Sequence, residues 1–201
     1  MEKIDIINAM LAAVGSNGVS STEGRHPALI KAKPILTRVN KQIQTAGHWF
    51  NTDLGYELLP SAPSGEFIIP TLTLKCTPTD KKSVYVRRGT RMYDPTKQTY
   101  AIDETSIKVD VVLQLSYDSL PFTALEYIRA TGGRQLILNS EVAAIMRSEY
   151  NRGMGLARLE FNKEKRGQRN TSLRDNPEYA YIMGGLPHIH GTSRNASRIG
   201  G

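Results

Sequence analysis

Residues 35–51, ILTRVNKQIQTAGHWFN, contain the point at which the chain changes from a helical pattern to a strand-like one. Apolar residues recur there every three or four positions, at Leu36, Val39 and Ile43, which is the spacing of one face of an α-helix. Gly47 follows directly, and glycine is a common helix terminator. The pattern therefore predicts a helix that ends at Gly47 and a segment of a different kind after it.

The residues before this stretch predict two amphipathic helices. Residues 3–14 carry apolar side chains at helical spacing, and Gly15 is a plausible C-terminal cap. The helix that ends at Gly47 extends back to Leu29, with Pro34 inside it. Because proline removes a backbone hydrogen bond and crowds the preceding turn, we expect this helix either to begin near Pro34 or to be kinked there.

Residues 49–118 are predicted to form a small antiparallel β domain. Short apolar runs alternate there with proline-containing turns, as is typical of short strands joined by turns. The predicted strands lie at residues 56–59, 67–69, 72–77 and 106–115, with a hairpin at residues 83–94 that turns near Gly89.

Helical periodicity returns after Pro121. Gly132 and Gly133 lie in the middle of this third helix, where a glycine pair usually indicates close contact with a neighbouring helix or a local break. Asn139 or Ser140 is expected to cap a last long helix that reaches about residue 165. Its predicted apolar stripe consists of Val142, Met146, Tyr150, Met154, Ala157 and Phe161.

Residues 166–201 are rich in glycine, serine, arginine and asparagine and show no periodicity. Such a segment has too little apolar surface to offset its chain entropy, so we expect it to become ordered only on a partner. The sequence therefore predicts an α+β protein: a helical bundle from residues 1–48 and 119–165, with two N-terminal and two C-terminal helices, an inserted small antiparallel β domain, and an extended basic C-terminal tail.

The composition is that of an ordinary globular protein, with 39% hydrophobic and 22% charged residues among 201. The net charge is +7, and residues 129–201 hold most of the excess, with 12 Lys/Arg against 6 Asp/Glu. A positive field attracts nucleic acid and acidic protein surfaces alike. The first residues lack the basic start and apolar run of a signal peptide, and no apolar stretch is long enough for a membrane helix, so we expect folding in a reducing cytoplasm.

Residue patterns that carry catalysis or metal binding are weak in this sequence. Cys76 is the single cysteine and is interpreted as a small buried hydrophobe. His188 and His190 are two apart, but no cysteine or acidic residue close in sequence completes a metal site. Asp103 and Glu104 are interpreted as turn residues. We predict no enzyme activity, no catalytic residue, no cofactor and no metal.

Two basic features remain open to interpretation. Arg87, Arg88 and Arg91 are predicted at the end of a hairpin, where they contact solvent, a protein partner or nucleic acid. The segment 166–170, RGQRN, is similar to basic arms that bind nucleic acid, and equally to arms that wrap a neighbouring subunit. The pair Trp49 and Phe50 is interpreted as an anchor of a helix end in the core, with stacking on a base as the alternative.

Five motifs, in the same order along residues 4–165, resemble the tail tubular protein A family of T7-like, short-tailed bacteriophages. They are IINAMLAAVG at 6–15 with VSSTEG at 19–24, ILTRVNKQIQTAGHWFN at 35–51, LLP at 58–60, VYVRRG at 84–89 with MYD at 92–94, and DSLP at 118–121 with YIRA at 127–130. The resemblance implies a structural virion protein, assembled in the host cytoplasm, that forms a ring of twelve between the portal and the tail nozzle. It also implies that genomic DNA passes through the ring and that tail fibres dock where the ring meets the nozzle.

Within this interpretation each part of the chain has an expected contact. The helices at residues 3–47 and 119–165 are expected to form the ring wall, and the arginine hairpin residues Arg87, Arg88 and Arg91 to face the nozzle or a fibre. The C-terminal tail is expected to grip the portal through Arg166, Arg169, Arg174, Tyr179, Tyr181, Arg194 and Arg198. The alternative is a nucleic-acid-binding module that uses the basic C-terminal third.

Overall fold

The computed structural model describes residues 2–24, 26–80, 82–139 and 144–174. The chain divides into two units, Met1–Lys165 and Arg166–Gly201, and every contact discussed below lies within the first. The elements of the described residues are α1 Lys3–Ala12, α2 Pro27–Thr45, β1 Thr52–Leu58, β2 Pro60–Ser61, β3 Glu66–Phe67, β4 Thr73–Pro78, β5 Val86–Arg88, β6 Arg91–Tyr93, β7 Ile107–Leu113, a 3-10 turn Tyr117–Ser119, α3 Phe122–Leu138 and α4 Ala144–Arg174. This α+β content agrees with the prediction.

Helices α1, α2 and α3 pack together around a core of apolar side chains. The face of α2 that the spacing predicts to be buried is buried, since Leu29, Ala32, Leu36 and Val39 have no exposed surface. Helix α1 contributes Ile6, Ile7, Met10 and Leu11, and α3 contributes Leu125, Ile128 and Leu136.

Pro34 does not begin helix α2, which starts at Pro27 and includes Pro34 in its interior. The Pro34 side chain lies on the exposed side of the helix. The carbonyl of Ile30, which the missing N–H leaves without its helical donor, therefore lies on the side of the helix where water can replace that donor.

The β part contains one three-stranded sheet and two small hairpins. The sheet has the antiparallel order β1-β7-β4, while β2 pairs with β3 and β5 pairs with β6. These strands enclose a second core of Leu58, Phe67, Ile69, Met92, Ile102, Ile107, Val109 and Val111. The β part therefore buries its own apolar surface separately from the helical core.

A buried polar joint connects the end of α2 to the β part. The Gln44 side chain has no exposed surface; its amide group donates to Asn40 Oδ1 at 2.9 Å and to the Leu115 carbonyl at 3.1 Å, and it accepts from the Leu115 N–H at 2.7 Å. Asn51 donates to the carbonyls of Gln44 and Leu113, both at 2.9 Å. Every polar group of the joint named here has a partner, as burial requires.

The part of helix α4 that belongs to the first unit contacts the other elements of that unit at few points. Phe161 is buried, and Glu164 accepts a hydrogen bond from Thr123. The predicted apolar stripe is only partly correct, because Met146 is 45% exposed. The helix also continues through Arg174, beyond the point near residue 165 at which the periodicity ends. Asn139, one of the two predicted N-caps of the last helix, is the C-terminal cap residue of α3. The other predicted cap, Ser140, and the stripe residue Val142 lie outside the described residues.

Candidate functional site

The predicted hairpin at residues 83–94 is present as β5 and β6, and we call it the arginine hairpin. Its turn contains Gly89 with φ of 62°, a backbone conformation that glycine adopts without steric cost. Arg88 and Arg91 pair directly across the two strands, as do Val86 and Tyr93. Directly opposite residues share a face, so these four side chains lie on one side of the hairpin. Met92, on the other side, is fully buried in the β core.

Tyrosine rings support two of the three arginines of this hairpin. The Arg88 guanidinium lies over the Tyr93 ring, with its Cζ 3.6 Å from the ring centroid. The Arg91 guanidinium lies over Tyr100 at 4.2 Å and also donates to Glu66 Oε1 at 2.6 Å. Arg87 bonds locally, through Nε, to the Gly89 carbonyl at 2.9 Å. The hairpin thus presents arginines whose guanidinium planes are fixed by aromatic contacts.

Large apolar side chains are exposed on the helices. Phe122 and Leu138 lie at the two ends of α3, with exposed fractions of 66% and 51%, and Leu156 and Leu159 on α4 are 60% and 59% exposed. Leu156 and Leu159 are three residues apart and so lie on the same side of α4. They fall outside the predicted stripe of α4, and sequence reasoning missed them. The sequence does contain a signal for them, because Leu156 and Leu159 are apolar residues of α4 that lie between the positions of the predicted stripe.

Trp49 and Phe50 follow the end of α2 and anchor it by packing against Phe161, in agreement with the interpretation from sequence. Phe161 of α4 contacts both rings, with centroid distances of 5.4 Å to Trp49 and 6.4 Å to Phe50. His48 packs edge-on against Phe161 at 4.9 Å, and its Nε2 lies 2.8 Å from the Ile43 carbonyl, which makes Nε2 the donor. Burial lowers the pKa of His48, and the positive charge of Lys165 adds to this, while the Ile43 hydrogen bond acts in the opposite direction. The cluster therefore favours a neutral histidine ring that holds α4 in place.

Cys76 and Glu104 make structural contacts, and Cys76, predicted to be buried, is only partly buried. The Cys76 sulfur lies 4.0 Å from that of Met92, and burial raises the pKa of the Cys76 thiol to about 11, so the reactive thiolate is scarce at neutral pH. Glu104 accepts a hydrogen bond from the Tyr85 hydroxyl at 3.0 Å. No group of three or more metal-binding side chains occurs within the described ranges. His188 and His190 lie outside those ranges.

The seven residues expected to contact the portal are only partly covered by the structure. Arg166, Arg169 and Arg174 belong to the last turns of α4, in the unit that begins at residue 166. Tyr179, Tyr181, Arg194 and Arg198 lie outside the described residues. The structure brings Arg88 and Arg91 together on one face of the arginine hairpin and places Arg87, which pairs with Met92, on the other face.

Two comparisons with known proteins complete this description. A search of curated proteins gave no match. A family model described as "Tail tubular protein" matches residues 4–179, which is most of the chain. This family consists of structural components of the bacteriophage tail and is not known for enzymatic activity. None of the helices in the described part of the chain is both long and apolar enough to cross a membrane. The extent of the family match establishes that the chain belongs to the tail tubular protein family of bacteriophages.

Proposed function

We propose that the protein is a ring-forming adaptor that joins the portal of a short-tailed phage to its tail nozzle. In this role it forms part of the channel through which DNA leaves the capsid and supports the attachment of tail fibres. The observation that carries the proposal is the family match over residues 4–179. Its subunit number, twelve, comes from the resemblance to tail tubular protein A.

The distribution of apolar side chains supports a ring wall made of helices. Phe122 and Leu138 on α3, and Leu156 and Leu159 on α4, are more than half exposed in the single chain. Identical subunits in a closed ring make head-to-tail contacts, in which one surface of each copy meets a different surface of the next. Exposed apolar side chains on two helices supply such surfaces, because burying them against a neighbouring copy removes them from water.

The first test is the mass of the purified protein by light scattering, alone and mixed with the portal protein of the same phage. We expect the mixture to contain a complex with twelve copies of this chain. A chain that ignores the portal, but binds DNA with an affinity that falls steeply as salt rises, would instead favour the nucleic-acid-binding module.

A second test changes the exposed apolar pair on α4. Replacing Leu156 and Leu159 by aspartate should prevent ring formation while leaving the fold intact, because both side chains are exposed. A matched control places aspartate at Ser148 and Arg152, two exposed polar positions of the same helix. If both variants assemble equally well, the apolar pair is not part of the ring wall.

A third test addresses the portal contact. Substituting glutamate for Arg166, Arg169 and Arg174 should weaken binding to the portal while the chain still folds. The change reverses the charge of three arginines within residues 129–201, which hold most of the basic excess of the chain. Unchanged binding of this variant to the portal would remove these residues from the proposed contact.

A further inference from the structure

The arginine hairpin contains a like-charged pair that the strand register forces together. Arg88 and Arg91 are directly opposite each other across β5 and β6. Like charges in directly opposite positions destabilise a strand pair. In the part of the chain that the structure describes, one carboxylate lies within ion-pair distance of this pair: Glu66, at 2.6 Å from Arg91. The pair therefore has one carboxylate for two guanidinium groups.

The protein holds this pair in place by stacking, which fixes the guanidinium planes. Arg88 lies over Tyr93, Arg91 lies over Tyr100, and the two rings are 5.0 Å apart at an interplanar angle of 65°. Tyr93 is 92% buried, so it forms a fixed base. Stacking occupies the face of a guanidinium and leaves its N–H edge available, and that edge binds a carboxylate through two parallel hydrogen bonds. Arg88 donates no side-chain hydrogen bond to any other described residue, so its edge is the available one.

Apolar side chains flank the pair on the same face. Val86 pairs with Tyr93, and Ile68 is bridged to Arg91 on the side away from Arg88. Val86 is 41% and Ile68 47% exposed. A phosphate backbone offers nothing to such side chains. An extended peptide places every second side chain on one face, so a peptide with apolar and acidic residues by turns at those positions matches both the apolar and the charged side chains.

We propose that this face of the arginine hairpin binds an acidic, extended segment of another protein of the phage tail. A carboxylate of that segment lies between Arg88 and Arg91, and its apolar side chains cover Val86 and Ile68. This inference rests on the proposed function, because assembly into the tail is what supplies such a partner. It adds the chemistry of the partner, which the expectation of a nozzle-facing or fibre-facing hairpin leaves open.

The experiment measures the binding of fluorescent peptides to the intact chain by anisotropy. One peptide is about eight residues long, enough to span a short strand, and carries valine and glutamate by turns at every second position with serine between them, so that both lie on one face. The other has the same sequence with glutamine in place of each glutamate. We expect the glutamate peptide to bind about tenfold more tightly or better, because the hydrogen bonds that it makes are charge-assisted.

Substitutions then locate the binding. Arg88→Gln should abolish the preference for glutamate, and Arg88→Lys should restore little of it, because lysine keeps the charge but not the planar fork. Lys75→Gln, which removes one exposed charge from β4 of the same β part, should leave the preference unchanged. Equal affinity for both peptides, or equal effects of Arg88→Gln and Lys75→Gln, would overturn the proposal.

Two further measurements separate this inference from neighbouring ideas. A short DNA duplex that binds through Arg88, when the glutamate peptide does not, would also overturn it in favour of phosphate recognition. Ring formation with the portal is measured on the same samples. If no ring forms but the chain still prefers the glutamate peptide, only the proposed adaptor function is refuted. If a ring forms but the chain shows no preference for the glutamate peptide, only the inference about the arginine hairpin is refuted.

Discussion

Replacing Gln44 by leucine isolates the energetic contribution of the polar joint between the two cores. The change keeps the volume of the side chain but removes three hydrogen bonds, to Asn40 Oδ1 at 2.9 Å, to the Leu115 carbonyl at 3.1 Å and from the Leu115 N–H at 2.7 Å. It leaves the buried Asn40 Oδ1 and the part-buried N–H and carbonyl of Leu115 without this partner, and a fully buried group left in this way costs about 1–3 kcal/mol. We expect the free energy of unfolding to fall by about 3–5 kcal/mol in total. That is a large part of the 5–15 kcal/mol typical of a domain.

The assay is urea unfolding followed by the fluorescence of Trp49, the single tryptophan, which lies four residues after Thr45, the last residue of α2. With a slope of about 2 kcal/mol per molar urea, the midpoint should fall by roughly 2 M. The matched control is Gln42→Leu, the same chemical change at an exposed position of the same helix, which should shift stability by no more than about 0.5 kcal/mol. If the two variants unfold at the same urea concentration, the joint does not contribute as argued.

Three further predictions concern the packing and titration of single side chains. Gly133→Ala should cost about 1–3 kcal/mol, because the added methyl group would overlap the Tyr150 ring, whereas Gly153→Ala, whose methyl group meets open space, should gain about 0.5–1 kcal/mol. Thermal unfolding of the two variants checks the opposite signs. Burial lowers the pKa of His48 from 6.5, so the neutral ring stabilises the fold above that pH, and this contribution is lost as the pH falls through the lower folded-state pKa. Urea midpoints measured from about pH 8 to about pH 5 should therefore fall less for His48→Gln than for the native chain, and equal slopes would contradict the assignment. The Cys76 thiol, with its pKa raised to about 11, should react with iodoacetamide at about pH 8 roughly a hundredfold more slowly in the folded chain than in urea. Similar rates in both states would show that the thiol is not protected.

Periodicity predicted the elements that bury a simple apolar face. The buried side of α2 and the hairpin that turns at Gly89 followed from it, because spacing and turn chemistry are local properties of the chain. The polar joint at Gln44 could not be predicted from periodicity, since a glutamine within a helix is usually a surface residue. Its partner Leu115 is 71 residues away along the chain.

The sequence pattern also failed to predict where α4 ends and which tyrosine rings stack on the arginines of the arginine hairpin. Residues 162–174, NKEKRGQRNTSLR, contain several good helix formers but no apolar stripe, so the helix continues to Arg174 where periodicity ends. Arg88, Arg91 and their hairpin were predicted, but the rings beneath them were not. Tyr100 lies outside the hairpin, and only the folded chain brings it against Arg91.

The two ends of the β part lie side by side. The Asn51 carbonyl accepts from the Leu113 N–H at 2.8 Å, so the chain leaves the helical part and returns to it at neighbouring positions. An insertion with adjacent ends can change in length or content without moving the elements on either side of it. A lineage of such proteins can therefore exchange the surface carried by the β part while the helical part stays the same. The same geometry makes this junction the natural place for grafting a different β part in the laboratory.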